Sequence, residues 1–446
     1  MSLEELTAEV DAGRIDTVLV AMTDMQGRLQ GKRADARYFL DDVVPNAVES
    51  CSYLLAVDVD MHTVGGYALS SWSLGYGDFV LRPDLGTLRR IPWHDNTACC
   101  MADVVDTDGR AVAPAPRQVL RRQLDRLAAH GLRAQVATEL EFIVFGQTYE
   151  EAWARGYRDL TPANLYNVDY SLLGTGRIEP LLRRIRLDMA GAGMLVEAAK
   201  GECNLGQHEI SFRYLEALAK ADEHALFKTG AKEIAAQEGH SLTFMAKFNE
   251  REGNSCHIHL SLVDGDGAPA FPDGGRGHSE VFEHVLAGLL ATLPEMMLFH
   301  APNINSYKRY IGGSFAPTTV AWGHDNRTCA FRVVGHGTGL RVECRVPGGD
   351  VNPYLGIAAL VAGAVHGLEH KLPLEPELRG NAYESAKPGV PTSLRQAAEL
   401  FRASALARAA FGDDVVEHYG NFARVELDAY DAAVTDWERY RGFERL

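Results

Sequence analysis

The sequence contains no CxxC pair, and its seven cysteines are scattered and odd in number. Reduced thiols and a cytoplasmic location fit that usage. Basic residues are in deficit, 44 Lys and Arg against 60 Asp and Glu, for a net charge of −16. That balance disfavours nonspecific binding of nucleic acid or of an anionic membrane. It leaves room for an anionic substrate, because local cations or metals can invert the field of a site. There is no GxxxxGK[ST] loop, no GxGxxG and no protein-kinase motif set, so any nucleotide must be held in another way. The opening "MSLEELTAEVDAGR" is acidic and has no apolar segment, so no signal peptide is expected. No apolar run reaches membrane-spanning length without interruption. The longest, "YLGIAALVAGAVHGL" (354–368), is rich in Gly and Ala and reads as a buried helix.

What is present is a chain of 446 residues, 46% hydrophobic and 23% charged, enough for a sizeable core in one large domain or two. Residues 1–12 read as an amphipathic helix. Residues 16–34 read as a hairpin turning at Gln26-Gly27. Short strands punctuated by Gly and Pro follow over 50–110. Pro114 and Pro116 mark a boundary, after which a helical period begins and stops at Gly131. Beyond it the pattern alternates: strand 134–145, helix 178–193, strand 195–198, helix 215–239, strands 241–248 and 256–263, helix 278–299, strands 328–334 and 340–346, and helix 353–370. The expectation is a small N-terminal α+β domain over 1–110 and a large α/β domain over 111–446.

Several of these strands carry charge on one face. "ATELEFIVF" (137–145) sets Glu139 and Glu141 two apart, so both carboxylates point the same way. They repel unless a cation sits between them. Two solvated acids on an edge strand is the plain alternative, weakened by the apolar residues around them. "KGECNLGQHEISF" (200–212) adds Glu202 and Glu209, and Gly201 and Gly206 allow a tight path. "GNSCHIHLSL" (253–262) adds His257, His259 and Ser261 at spacing two. A lone His is more often a satisfied core residue, but two on one face shift the balance toward a site. In "GLRVECRVPGG" (339–349), Arg341, Glu343 and Arg345 alternate with Val342, Cys344 and Val346. With Arg309, Arg327 and Arg332 this makes five arginines between 309 and 345, and Arg forks match carboxylate and phosphate oxygens. Five glutamates with one or two imidazoles suit Mg²⁺ or Mn²⁺ better than Zn²⁺. Several divalent cations beside several arginines point to phosphoryl transfer.

Taken in order, ELEF, GECNLGQHE, GNSCHIHLSL, NSYKR…AP…NR…R and RVECR resemble the glutamine synthetase family. "FVLRPDLGTLRRIPW" (79–93) extends the resemblance over nearly the whole chain. The resemblance implies an α+β fold: a small β-grasp-like N-terminal domain, then a catalytic α/β domain with a curved antiparallel sheet. It also implies a homo-dodecamer of two stacked hexameric rings, with active sites between neighbouring subunits. By position, Glu141, Glu202 and Glu209 would hold one metal, and Glu139, His257 and Glu343 a second, with two or three Mg²⁺ or Mn²⁺ ions per site. Arg309 and Arg345, helped by the Gly253 backbone, would hold glutamate. Arg327 and Arg332 would clamp the γ-phosphate of ATP. Glu197, His259, Ser261 and Arg341 would line the nucleotide site. The implied reaction phosphorylates the γ-carboxylate of glutamate and lets an amine attack the acyl phosphate.

The departures from the family bear on the amine. Glutamine-forming members carry a Glu two residues before the Pro of the loop after NSYKR, where this chain has Phe315. The family's Asp-Gly-Ser-Ser stretch is also missing, and "AVDVDMHTVGG" (56–66), with Asp58 and Asp60, stands in its region. Glu252 replaces a usual Asn. Ammonium needs close carboxylates to be captured and deprotonated, whereas an aromatic wall suits the carbon chain of an alkylamine. The chain therefore resembles the γ-glutamyl-amine ligases of the family, with ethanolamine as the leading acceptor. A polyamine, ammonia-dependent glutamine synthesis, a non-catalytic regulatory role and a guanidino kinase are the alternatives. Asp58, Asp60, His62 and Thr63 would serve a hydroxyl or a distal ammonium equally. "GNAYE" (380–384) falls where some members carry an adenylylated tyrosine. Only Asn381 and Tyr383 keep the register, which favours an ordinary surface tyrosine.

Overall fold

The structure is a computed structural model that describes residues 1–272 and 277–446. The N-terminal segment opens with a helix, Leu3–Asp11, held by a capping box between Ser2 and Glu5. Six strands follow: β1 Thr17–Thr23, β2 Leu29–Asp35, β3 Val48–Cys51, β4 Asp78–Pro83, β5 Arg89–Arg90 and β6 Thr97–Val105. β1 and β2 form the expected hairpin around Gly27, whose φ is +80°. The sheet order is β2-β1-β6-β4-β3, with β5 on β6, and β1 and β6 run parallel.

Among the described residues the larger sheet has nine strands. β7 Leu132–Phe145, β8 Val196–Gly201, β9 Gln207–Phe212, β10 Leu215–Glu216 and β11 Ser241–Thr243 come first. β12 Cys256–Asp264, β13 Trp322–His324, β14 Phe331–Val334 and β15 Arg341–Cys344 complete it. The order is β13-β14-β15-β12-β7-β9-β8, and β10 and β11 also pair with β7. All pairings are antiparallel except β13 with β14. One continuous apolar core runs beneath both sheets.

The helix Pro116–Ala128 starts where Pro114 and Pro116 predicted it, with Pro at its first position. The helices Ala217–Gln237 and Pro353–His370 are also where the sequence places them. The helix Glu280–His300 is long and apolar enough to cross a membrane, yet it is mostly buried against the helix Pro353–His370.

Two expectations are corrected. The predicted strand 241–248 stops at Thr243. Beyond it the side chain of Asn305 takes over the backbone: its Oδ1 accepts from the Lys247 N–H at 2.8 Å, and its Nδ2 donates to the Lys247 carbonyl at 2.8 Å. The predicted strand 328–334 begins only at Phe331. Asn326 turns the chain before it, accepting from the Thr328 N–H at 3.0 Å.

Candidate active site

The register of the large sheet assembles the charged residues. Glu139 and Glu141 share one face of β7. Pairing sets Glu139 opposite His257 on β12, and Glu141 opposite Glu209 on β9. On the other side of β12, His259 lies opposite Glu343 of β15, which in turn faces Arg332 of β14. Glu202 enters from the loop after β8. That loop closes at Gly206, whose φ is +71° and where a Cβ would lie 2.5 Å from the Val144 carbonyl oxygen. No other residue fits there without moving the strand.

Among the described residues there are three groups of possible metal ligands: two that the sequence singled out, and Asp169 with Glu202 and Cys203. Glu141, Glu202 and Glu209 each bring an oxygen within 4.8 Å of the others, and a ring nitrogen of His257 lies equally close to oxygens of Glu139 and Glu343. In the first group, Glu141 Oε2 accepts from the Ser255 N–H at 2.8 Å and from Gln207 Nε2 at 3.0 Å, which fixes one oxygen. Burial, then the neighbouring Glu202, pushes the Glu141 carboxyl up to about 8. Burial and the charges of Glu139, Glu141 and Glu202 push Glu209 up to about 9. Carboxyls so crowded are relieved by a proton or by a cation.

In the second group, His257 Nδ1 lies 3.3 Å from Glu343 Oε1 and 3.4 Å from Glu139 Oε2. Burial, then Arg345, lowers His257 to about 4, so the imidazole is neutral at physiological pH and keeps a lone pair for a ligand. Glu343 is 1% exposed. Burial alone would raise its carboxyl, but the charged groups around it, with Arg345 in direct contact, outweigh that and lower it. Its oxygens meet Arg345 Nη1 at 2.5 Å and Arg332 Nη1 at 3.0 Å. Oxygen-rich donors with one neutral imidazole fit Mg²⁺ or Mn²⁺.

Both groups line a cleft of about 650 Å³. Its lining also includes Phe315, Arg327, Arg332, Arg345, Tyr170, Lys200 and Glu252. Gly253 also lines it. A Cβ there would fall 2.3 Å from the Ala246 carbonyl oxygen and 2.7 Å from Arg309 Cγ, so the backbone approaches closely only because the residue is Gly. Phe315 is 56% exposed and adopts φ +59°, an uncommon conformation for a bulky residue. Its loop is pinned by Arg345 Nη2 to the Phe315 carbonyl at 3.4 Å, and by the Tyr383 hydroxyl to the Ala316 carbonyl at 3.1 Å. Tyr383 is thus half-buried and committed to supporting this loop.

Other predicted residues lie outside the cleft lining. Arg309 is 1% exposed, and its terminal nitrogens donate to the carbonyls of Arg345, Val346 and Pro347 at 2.8–3.1 Å. His259 sits just behind the lining, with Nε2 2.9 Å from Glu139 Oε1 and Nδ1 accepting from Arg341 Nε at 3.2 Å. Ser261 pairs across from Gln135 farther along β12. Glu197 is exposed at a register shift between Val196 and Ala198. Asp58 and Asp60 stand in the N-terminal segment, close enough to Glu426 to raise its carboxyl after burial does so.

The sequence reading missed Gln207, Ser255, Asp169, Tyr170 and Lys200. Gln207 and Lys200 had a signal, because each stands two residues from a singled-out glutamate. Asp169 and Tyr170 had none, since they arrive from a loop.

Comparison with known proteins agrees with this geometry. A family model described as the glutamine synthetase catalytic domain matches residues 113–441. A γ-glutamylethanolamide synthetase of Streptomyces coelicolor is 66% identical over 446 residues, covering 100% of this chain and 96% of that protein. A glutamate–isopropylamine ligase of a Pseudomonas species is 37% identical over 440 residues, covering 97% of this chain and 96% of that protein. A solved structure described as a GmaS–ADP complex superposes with a TM-score of 0.86 at 26% identity, covering 98% of this chain and 99% of that one. Two interleaved carboxylate groups on a curved antiparallel sheet, with arginines at its edge and a full-length match to such relatives, have one common source: the chain belongs to the glutamine synthetase family.

Proposed function

We propose that this protein is an ATP-dependent ligase that joins L-glutamate to a primary amine through γ-glutamyl phosphate, with ethanolamine as the amine. The observation that carries the reading is Phe315, an exposed aromatic ring in the lining of a cleft whose carboxylates and arginines remain assembled. The 66% identity to a γ-glutamylethanolamide synthetase over the full chain supports the same amine.

In the first step the γ-carboxylate oxygen attacks the terminal phosphorus of ATP, and the bond to the ADP oxygen breaks. Arg332 and Arg327, in the cleft lining, would meet the phosphoryl group and offset its charge. Glu141, Glu202 and Glu209 would hold one divalent ion, and Glu139, His257 and Glu343 another. Such ions neutralise charge on phosphate oxygens and orient them. In the second step the amine nitrogen attacks the acyl carbon, phosphate leaves, and the nitrogen loses a proton to a carboxylate of the cleft. Arg345, in the cleft lining, would meet the glutamate carboxylate. Arg309 acts from behind by holding the 345–347 backbone, and Gly253 leaves room for the substrate. His259, Arg341, Ser261 and Glu197 belong to the nucleotide side of this reading. Two stacked hexameric rings belong to it as well, with Asp58 and Asp60 reaching a neighbouring subunit's cleft.

The test is phosphate release from ATP with Mg²⁺ and glutamate across ammonium, methylamine, ethanolamine, putrescine and spermidine. Release that is strong with ethanolamine and weak with ammonium is expected. Release mainly with ammonium would make the protein a glutamine-forming member that handles its nucleophile without the loop acid.

A further inference from the structure

Lys200 occupies a position in the cleft that no step of the reaction uses. It lies on β8 directly opposite Glu209, and it lines the same cleft as Phe315. Its ammonium is 3.5 Å from Asp169 Oδ1, pairs with Glu202 Oε1, and lies 4.5 Å from the centroid of the Tyr170 ring. Two carboxylates and an aromatic face are what an alkylammonium ion seeks. Here the protein supplies that ion itself, on a tether.

The surroundings give this ammonium a direction of influence. Tyr170 is 71% exposed and Leu172 90% exposed, and both line the cleft. With Phe315 they offer apolar surface to a short carbon chain. That surface ends on a fixed cation whose two acidic neighbours are already paired. An ammonium has three donors and no acceptor, whereas a hydroxyl can accept. A hydroxyl-tailed amine therefore finds a hydrogen-bond donor in Lys200. A diamine brings a second donor-only cation against it and finds Asp169 and Glu202 taken.

We infer that Lys200 is a specificity-determining residue that selects amines with a neutral, hydrogen-bond-accepting tail over diamines by occupying the Asp169–Glu202–Tyr170 cage. The inference rests on the amine-ligase reading and refines it. Lys200→Gln removes the charge and frees Asp169 and the Tyr170 face, while Glu202 stays with its metal-ligand group. Lys200→Arg keeps the charge and serves as the conservative control.

The measurement is kcat/KM for ethanolamine and for putrescine in the wild-type protein and both variants. The ethanolamine-to-putrescine ratio is expected to favour ethanolamine in the wild type, to fall about tenfold or more in Lys200→Gln, and to stay high in Lys200→Arg. A role confined to the neighbouring metal ligands would lower both amines together. An unchanged ratio in Lys200→Gln overturns the inference and leaves the amine-ligase reading standing. A wild-type preference for putrescine does the same. Activity with ammonium alone overturns both.

Discussion

At the scale of single residues, Phe315 joins strain to selectivity. A bulky side chain at φ +59° costs on the order of 1–3 kcal/mol and persists only where its surroundings hold it. Arg345 and Tyr383 hold it here through the carbonyls of Phe315 and Ala316. Phe315→Gly is expected to raise stability by about 1 kcal/mol, because Gly accepts that backbone and the ring is more than half exposed. The same change removes the apolar wall and lowers kcat/KM for ethanolamine. Phe315→Glu is expected to shift the ammonium-to-ethanolamine ratio of kcat/KM toward ammonium by about tenfold or more, through a carboxylate able to capture and deprotonate ammonium. Thermal melts and the two-amine assay check both variants. A Phe315→Glu protein with an unmoved ratio would remove the loop from amine choice.

At the scale of elements, β7, β9 and the loop after β8 force three carboxylates together, and this couples metal binding to pH. Glu141 and Glu209 hold their protons up to about 8 and about 9, chiefly through burial, with neighbouring acids adding to it. Between the ordinary carboxylate range and those values the folded protein carries protons that the unfolded chain has released. Stability of the metal-free protein therefore falls as pH rises through this window. A divalent ion needs the same oxygens deprotonated, so it competes less with protons at the upper end. The gain in Tm from Mg²⁺ or Mn²⁺ is expected to be larger at pH 8.5 than at pH 6. An equal gain at both pH values would remove these carboxylates from the metal site. These elements were also the readable part of the chain. Spacing two on an alternating strand is a local property, so Glu139 with Glu141 and His257 with His259 were visible before any pairing was known. Which strand lies beside which is a long-range property, so the pairing of Glu139 with His257 had to come from the family resemblance. Segment 244–248 carries a strand-like pattern, but a side chain from residue 305 claims its backbone, and no local pattern foretells that. Lys200 lies beyond the predicted strand 195–198 and was missed, and its partners Asp169 and Tyr170 come from a loop with no periodicity.

At the scale of the whole molecule, the two sheets are tied by one buried cation. Arg117, 4% exposed, stands on the helix Pro116–Ala128. It donates to Asp222 at 2.9–3.0 Å, to Asp103 at 2.5 Å and to Asp84 at 2.8 Å. Asp84 and Asp103 belong to the N-terminal sheet and its turns, whereas Asp222 lies on the helix Ala217–Gln237 behind the large sheet. The Tyr354 hydroxyl donates to Asp222 at 2.6 Å and brings in the helix Pro353–His370. Arg121 also reaches Asp84 and Asp103, so those two acids keep a partner if Arg117 is lost. Among the described residues, the Asp222 side chain keeps only the tyrosine. Arg117→Met is therefore expected to cost about 3–5 kcal/mol, the range for stranding one member of a buried pair, and to lower Tm by roughly 3–5 °C in a chain of this size. Adding Asp222→Asn should return part of the loss, because the stranded charge goes with it. Calorimetry on the three proteins separates the alternatives. One cooperative transition that moves down and then partly back means that the sheets melt as a unit joined at this cluster. A wild-type protein with two resolved transitions, only one of which responds, would mean that the smaller sheet folds on its own and that the cluster merely docks it.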